Sequence, residues 1–103
     1  SEARRAALVA KARALGLPLV ADNPYGDLWF DAPPPAPLTA RYPEGSIYLG
    51  SFSKVLAPGL RLGLLVAPPA LYPKLLQAKQ AADLHSPGLN QRLIADVYNA
   101  IVK

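Results

Sequence analysis

Three short apolar runs, Leu17–Asp22, Ser46–Ser51 and Leu62–Ala67, limit most narrowly what this 103-residue chain can fold into. Each is too short for a buried helix and lacks the polar alternation of a half-exposed strand, so each reads as a strand covered on both faces. Segments at helical spacing frame them. Residues 1–15 put Leu8, Ala12 and Leu15 on one face, with Ser1 as a cap and Gly16 as a stop. After Pro68-Pro69, Leu71, Leu75, Ala78 and Ala82 repeat at the same spacing. Pro69 fits the first turn of that helix, and Pro73 is tolerated only if it falls there too. Pro87-Gly88 breaks the pattern, and Leu89, Leu93, Val97 and Ile101 resume it. Helix, strand, loop, strand, turn, strand, helix, helix is an α/β order. The third strand follows the second after a turn too brief for a helical crossover. It is therefore antiparallel to the second, or separated from it by another strand. Four prolines within residues 33–37 make the segment from Asp31 to Pro43 an extended surface connection, too short for a domain linker.

Composition removes several classes of function. Hydrophobic residues make up 51% of the chain, enough for a core and too many for a disordered segment. The net charge of +4 is spread without a run of like charges, which gives nucleic-acid binding little support. No cysteine and a single histidine leave no disulfide framework, thiolate metal site or zinc centre. No apolar run reaches the roughly 18 residues needed to cross a bilayer, and no signal-peptide pattern opens the chain. A chain that opens on Ser1 and contains no methionine is expected to be a single-domain piece of a longer protein.

Chemistry gathers where strands end, the usual place for ligands in open α/β sheets. Asp22 closes the first run ahead of Asn23-Pro24-Tyr25. Buried there, its carboxylate is costly without an opposing cation, and taken alone it reads more readily as a turn former. After the second run come Ser51, Ser53 and Lys54, then Pro58-Gly59-Leu60-Arg61. Two hydroxyls, an ammonium and a guanidinium within eleven positions suit a phosphate monoester, though a solvated polar turn has the same composition.

Together these segments are specific. Gly50–Gly63, GSFSKVLAPGLRLG, resembles the cofactor-lysine signature of fold-type-I pyridoxal-phosphate enzymes, and of class I aminotransferases in particular. Ala21–Phe30, ADNPYGDLWF, resembles the Asp-x-x-Tyr segment of that family at the expected distance. The likeness runs over essentially all of residues 1–103. It implies a central piece of the large, cofactor-binding domain, a three-layer α/β/α unit with a mostly parallel mixed sheet. The Lys79–Gln91 stretch looks most like the aminoadipate and kynurenine aminotransferase branch.

The resemblance also implies roles. Lys54 forms the Schiff base with pyridoxal 5'-phosphate and shuttles a proton during transfer of an amino group between an amino acid and a 2-oxo acid. Asp22 faces the pyridine nitrogen, which is the cation its buried carboxylate needs. Tyr25 donates to the phenolic oxygen, while Ser51 and Arg61, with Ser53 as a third member, bind the phosphate. Ser86 is a weaker candidate that approaches a neighbouring subunit's cofactor. His85 reads as a helix-end residue, and Trp29 and Phe30 as core or interface aromatics. The implied parent is a cytoplasmic homodimer that touches neither membrane nor nucleic acid. The family's glycine-containing phosphate loop and its substrate-carboxylate arginine have no counterpart in residues 1–103, so the isolated piece is expected to be inactive and prone to associate.

Three rival readings compete with this one. In a penicillin-recognising acyl enzyme, Ser51 would be the nucleophile of Ser-x-x-Lys, but the chain has no Ser-Asp-Asn or Lys-Thr-Gly string. A winged-helix transcription regulator fused to an aminotransferase-like domain would use the same lysine to sense an effector. A purely structural α/β domain would form no lysine adduct at all.

Overall fold

The computed structural model describes residues 1–25 and 28–102. Helix α1 spans Glu2–Leu15, where the Ser1 hydroxyl accepts the Arg4 amide at 3.3 Å. It ends on Gly16, whose φ of 66° is left-handed and suits a residue without a Cβ. Strand β1, Leu19–Asp22, starts two residues into its apolar run because Pro18 has no N–H for the ladder. Strand β2 covers Ser46–Ser51 and β3 covers Gly63–Val66. The order is β1-β2-β3. Leu19 pairs with Ser46 and Asp22 with Leu49 in parallel, while Tyr48 pairs with Val66 and Ser51 with Gly63 in antiparallel. The third strand is thus the antiparallel member and bonds directly to the second.

Within the proline-rich segment, expected to be extended throughout, Leu38–Arg41 forms a single turn, α2. Proline is compatible with a helix start because the first amides lack intrahelical acceptors, so Pro37 serves as the N-cap. That turn delivers Leu38 and Tyr42 to the core, where they meet Val9, Ala12 and Leu19. The Tyr42 ring lies over Gly45, where any Cβ would overlap it, and its hydroxyl donates to the Leu17 carbonyl at 3.3 Å. Buried Ser46 donates its hydroxyl to the Tyr42 carbonyl, so the one buried polar side chain named in the core is satisfied.

The Arg13 guanidinium sits 5.0 Å above the Tyr42 ring and donates to the Glu44 carboxylate at 2.7 and 2.9 Å. It also reaches the Arg41 carbonyl at 3.1 Å, clasping α1 to the turn before β2. The Glu44 carboxyl is held below its ordinary value of 4.5, first by its own backbone amide and then by Arg13. A carboxyl depressed in the folded state favours folding above its unfolded value and loses that contribution as pH falls through the folded one. The clasp is therefore expected to be intact at neutral pH and to release below 4.5. Arg13→Ala should move the Glu44 midpoint, followed by carboxyl NMR, back toward its ordinary value. A Glu44 midpoint that stays put in the variant contradicts the assignment to Arg13.

Helix α3, Tyr72–Asp83, begins beyond Pro69 with Pro73 in its first turn, and α4 spans Gly88–Val102. α1 packs on the sheet face that carries Leu19. α3 stands over the face of Leu49 and Leu65, across an apolar cavity of about 400 Å³. The helical register was legible, but not which face is covered. Val9 and Ala12 are buried while Leu8 and Leu15 stay exposed. On α4, Ile94 is buried, Leu89, Leu93 and Val97 are exposed, and the side chain of Ile101 lies outside the described residues. Trp29 and Phe30 are exposed, so neither is a core aromatic of this chain.

The chain is open for its mass. Its accessible surface is 7606 Å², where a folded 10.9 kDa monomer shows about 5,600 Å². Its radius of gyration is 15.5 Å against about 13 Å for a closed domain of this length. Leu64, Leu65 and Val66 of β3 contribute to that surface from both faces of the sheet.

Candidate functional site

Asp22, Tyr25, Ser51, Ser53 and Lys54 stand at or just past the carboxyl ends of β1 and β2, and Arg61 just before β3, whereas Ser86 lies apart between α3 and α4. Asp22 is the last residue of β1, and Ser51 the last of β2, on the same sheet face because Asp22 pairs with Leu49. Past β1, the Asn23 amide bonds the Leu49 carbonyl at 2.9 Å and Tyr25 lies exposed in the following turn. Past β2, residues 52–57 fold into a tight turn, with the amides of Leu56 and Ala57 both reaching the Phe52 carbonyl at 2.9 and 3.1 Å. The Ser51 hydroxyl accepts the Ser53 amide at 3.1 Å, fixing the start of that turn. Lys54 is exposed on it.

Arg61 follows a short 3-10 turn, Pro58–Leu60, and adopts φ 51°, ψ 46°. This left-handed conformation is unfavourable for a residue with a Cβ by about 1–2 kcal/mol. Such outliers persist only where surrounding bonds hold them, and they concentrate at ligand clamps. The Phe52 amide bonds the Leu62 carbonyl at 3.1 Å, which brings the Arg61 backbone alongside the Ser51–Lys54 turn.

The structure thus gathers Asp22, Tyr25, Ser51, Ser53, Lys54 and Arg61 at one end of the sheet. Among the described residues, only Ser51 and Ser53 are joined by a hydrogen bond, and no ion pair links Asp22, Lys54 or Arg61. A guanidinium, an ammonium and hydroxyls with no internal carboxylate partner suit a dianionic phosphate. Asp22 is exposed rather than buried as the sequence led us to expect, because it ends β1 where no described element covers it, and its carboxylate is open to a cation. The donor set therefore fits a cofactor bearing a phosphate and a basic ring nitrogen. A cavity of about 100 Å³ lies among Asn23, Pro24, Ser51, Phe52, Val55 and Tyr98. Of the six candidates only Ser51 lines it, while Asp22 borders a separate cavity of about 260 Å³ with Arg5, Pro34 and Leu38, so neither cavity encloses the set.

Two polar residues here escaped the sequence reading. The Asn23 side-chain amide donates to the Tyr48 hydroxyl at 3.4 Å, and that of Asn90, on α4, donates to the Leu60 carbonyl at 3.2 Å. Asn23 lies within the Asp22–Tyr25 segment and could have been given a role, whereas the partner of Asn90 is thirty residues away and left no local sign. His85 lies just beyond the end of α3, as expected.

Comparison with known proteins shows the family and the fold. Residues 2–102 match the family "Aminotransferase class I and II". The chain is 42% identical over 97 residues to the uncharacterized HTH-type transcriptional regulator YisV of Bacillus subtilis, covering 93% of this chain and 20% of that protein. It is 52% identical over 87 residues to 2-aminoadipate transaminase of Thermus thermophilus, covering 80% of this chain and 22% of the relative. Among solved structures, it resembles LysN, the alpha-aminoadipate aminotransferase of Thermus thermophilus, complexed with N-(5'-phosphopyridoxyl)-L-leucine. The TM-score is 0.89 at 44% identity, over 96% of this chain and 26% of that one. The chain therefore spans about a fifth to a quarter of the length of these relatives.

Proposed function

The chain belongs to the class I and II aminotransferase family, and from that premise we propose that it is part of the cofactor-binding large domain of a pyridoxal-phosphate-dependent transaminase. The intact protein would transfer an amino group between an amino acid and a 2-oxo acid. The observation that carries this reading is the convergence of Lys54, Asp22 and Arg61 at one sheet end, in a chain 44% identical to a protein complexed with a phosphopyridoxyl amino acid.

When bound, pyridoxal 5'-phosphate supplies a carbonyl carbon open to attack by amines and a ring that delocalises negative charge. Lys54 provides the amine that tethers the cofactor, and its nitrogen then carries a proton to and from the reacting carbon. That work needs the amine neutral part of the time. Arg61 binds the phosphate as a planar fork, while Ser51 and, secondarily, Ser53 add neutral hydrogen bonds. Asp22 keeps the ring nitrogen charged, and Tyr25 donates to the ring's phenolic oxygen. With only one wall of the site in residues 1–103, this segment alone is inactive. The intact enzyme is a cytoplasmic homodimer. Among the described residues no helix is long and apolar enough to cross a membrane.

A second reading rests on the similarity to a regulator over 93% of the chain. In it the same wall binds the same cofactor but serves an aminotransferase-like sensing domain of a winged-helix transcription regulator. A helix-turn-helix upstream of this segment in the full-length protein, with no turnover, favours that reading.

The test common to both is chemical trapping. Full-length protein incubated with pyridoxal phosphate, reduced with borohydride and digested is expected to carry the pyridoxyl group on the peptide containing Lys54. Modification elsewhere, or none, rejects the assignment.

A further inference from the structure

We infer that Asn90 is a positioning residue that sets the aim of the Arg61 guanidinium at the cofactor phosphate; this rests on the reading above. The Leu60–Arg61 peptide is held at both ends. Its N–H, on Arg61, donates to the Pro58 carbonyl at 3.2 Å, and its carbonyl, on Leu60, accepts from the Asn90 side-chain amide at 3.2 Å. Rotating that peptide plane changes the φ of Arg61, which stands at 51° where an ordinary side chain is unfavourable. Turn closure through Pro58 supplies one restraint and Asn90 the other. Without Asn90, Arg61 is released toward the broad allowed regions, and its side chain no longer leaves the backbone in the same direction.

The rest of α4 is placed to make this restraint firm. Asn90, Ile94 and Tyr98 follow one another at intervals of four residues and form a single stripe on the helix. Ile94 is buried, and the Tyr98 ring meets that of Phe52 edge-on with centroids 5.8 Å apart. Phe52 directly follows Ser51, and Leu60 directly precedes Arg61. One helix therefore grips the loop beside each of the two proposed phosphate-binding residues and sets the distance between them.

The experiment compares two forms of the vitamin on the full-length protein stripped of cofactor. Pyridoxal 5'-phosphate and pyridoxal share the aldehyde and ring that Lys54 and Asp22 would engage, and only the first has a phosphate. In Asn90→Ala, loss of one hydrogen bond's worth of positioning is expected to weaken pyridoxal phosphate about tenfold, with pyridoxal changed by no more than about twofold. Affinities are read from the absorbance of the lysine adduct rather than from turnover. Asn90→Asp keeps the size but sets an acceptor against the Leu60 carbonyl, and should weaken the phosphorylated form at least as much. It carries the comparison if circular dichroism shows the alanine variant misfolded. Equal losses for both forms, or no loss for either, overturn the inference. A wild-type protein that takes up neither form overturns the functional reading itself, which separates the two failures.

Discussion

Replacing Lys54 with alanine in the full-length protein is expected to lower amino-group transfer by at least about 10³-fold and to abolish the absorbance of the cofactor adduct. Two roles fall together in this variant, the covalent tether and the proton carrier, and positioned proton transfer alone is typically worth about 10²–10⁴ in rate. An added small primary amine such as methylamine should restore part of the rate in Lys54→Ala, because it supplies the missing nitrogen and no missing structure. Lys79 is the control. It pairs with Asp83 within α3 and is half-exposed, so Lys79→Ala should leave turnover within about twofold. A Lys54→Ala protein retaining a tenth of the wild-type rate would remove the basis for calling this chain part of a transaminase.

That the candidate lysine could be placed at a strand end follows from the kind of information each segment holds. Ser46–Ser51 holds an apolar centre between two serines, so both of its ends were readable, and the polar cluster after it fell at a strand end. Loop length left β3 either antiparallel to β2 or separated from it by another strand, and the direct antiparallel pairing decided between them. Other features depend on what packs where. Periodicity tells which residues share a helix face, and the partner element decides whether that face is covered. On α4 the apolar register of Leu89, Leu93 and Val97 was apparent, yet the stripe turned toward the loop is Asn90, Ile94 and Tyr98, two of them polar. The turn of α2 is of the same kind: Leu38 and Tyr42 are drawn in by the core, against a local run of prolines. The left-handed Arg61 also had no local sign, because a residue with a Cβ adopts that conformation only when bonds from elsewhere impose it. Residue types identified the candidate wall, while the bonds that shape it come from residues too far along the chain to be read in advance.

Asp22 separates a chemical role from a structural one most cleanly. As a turn former, its carboxylate would accept backbone amides ahead of Pro24. Among the described residues no hydrogen bond ends on the Asp22 side chain, and the Asn23 amide is spent on Leu49. The carboxylate is exposed at the end of β1, without a partner among the described residues. A charge pair about 4 Å apart is worth about 4 kcal/mol at an effective dielectric of about 20, the value typical of pairs near a protein surface. Removed from a transition state, that energy corresponds to roughly 10³ in rate. Asp22→Asn keeps the shape and deletes the charge. It is therefore expected to lower kcat by about 10²–10³ while changing KM far less, since the interaction strengthens as negative charge develops on the ring. Attack by Lys54 on the cofactor's carbonyl does not require that charge, so borohydride trapping at Lys54 should survive in the same variant. Asp22→Glu, which restores the charge at the wrong distance, should recover only part of the loss. If Asp22→Asn instead melts at a lower temperature with kcat within about tenfold of the wild type, the carboxylate belongs to the turn and not to the chemistry.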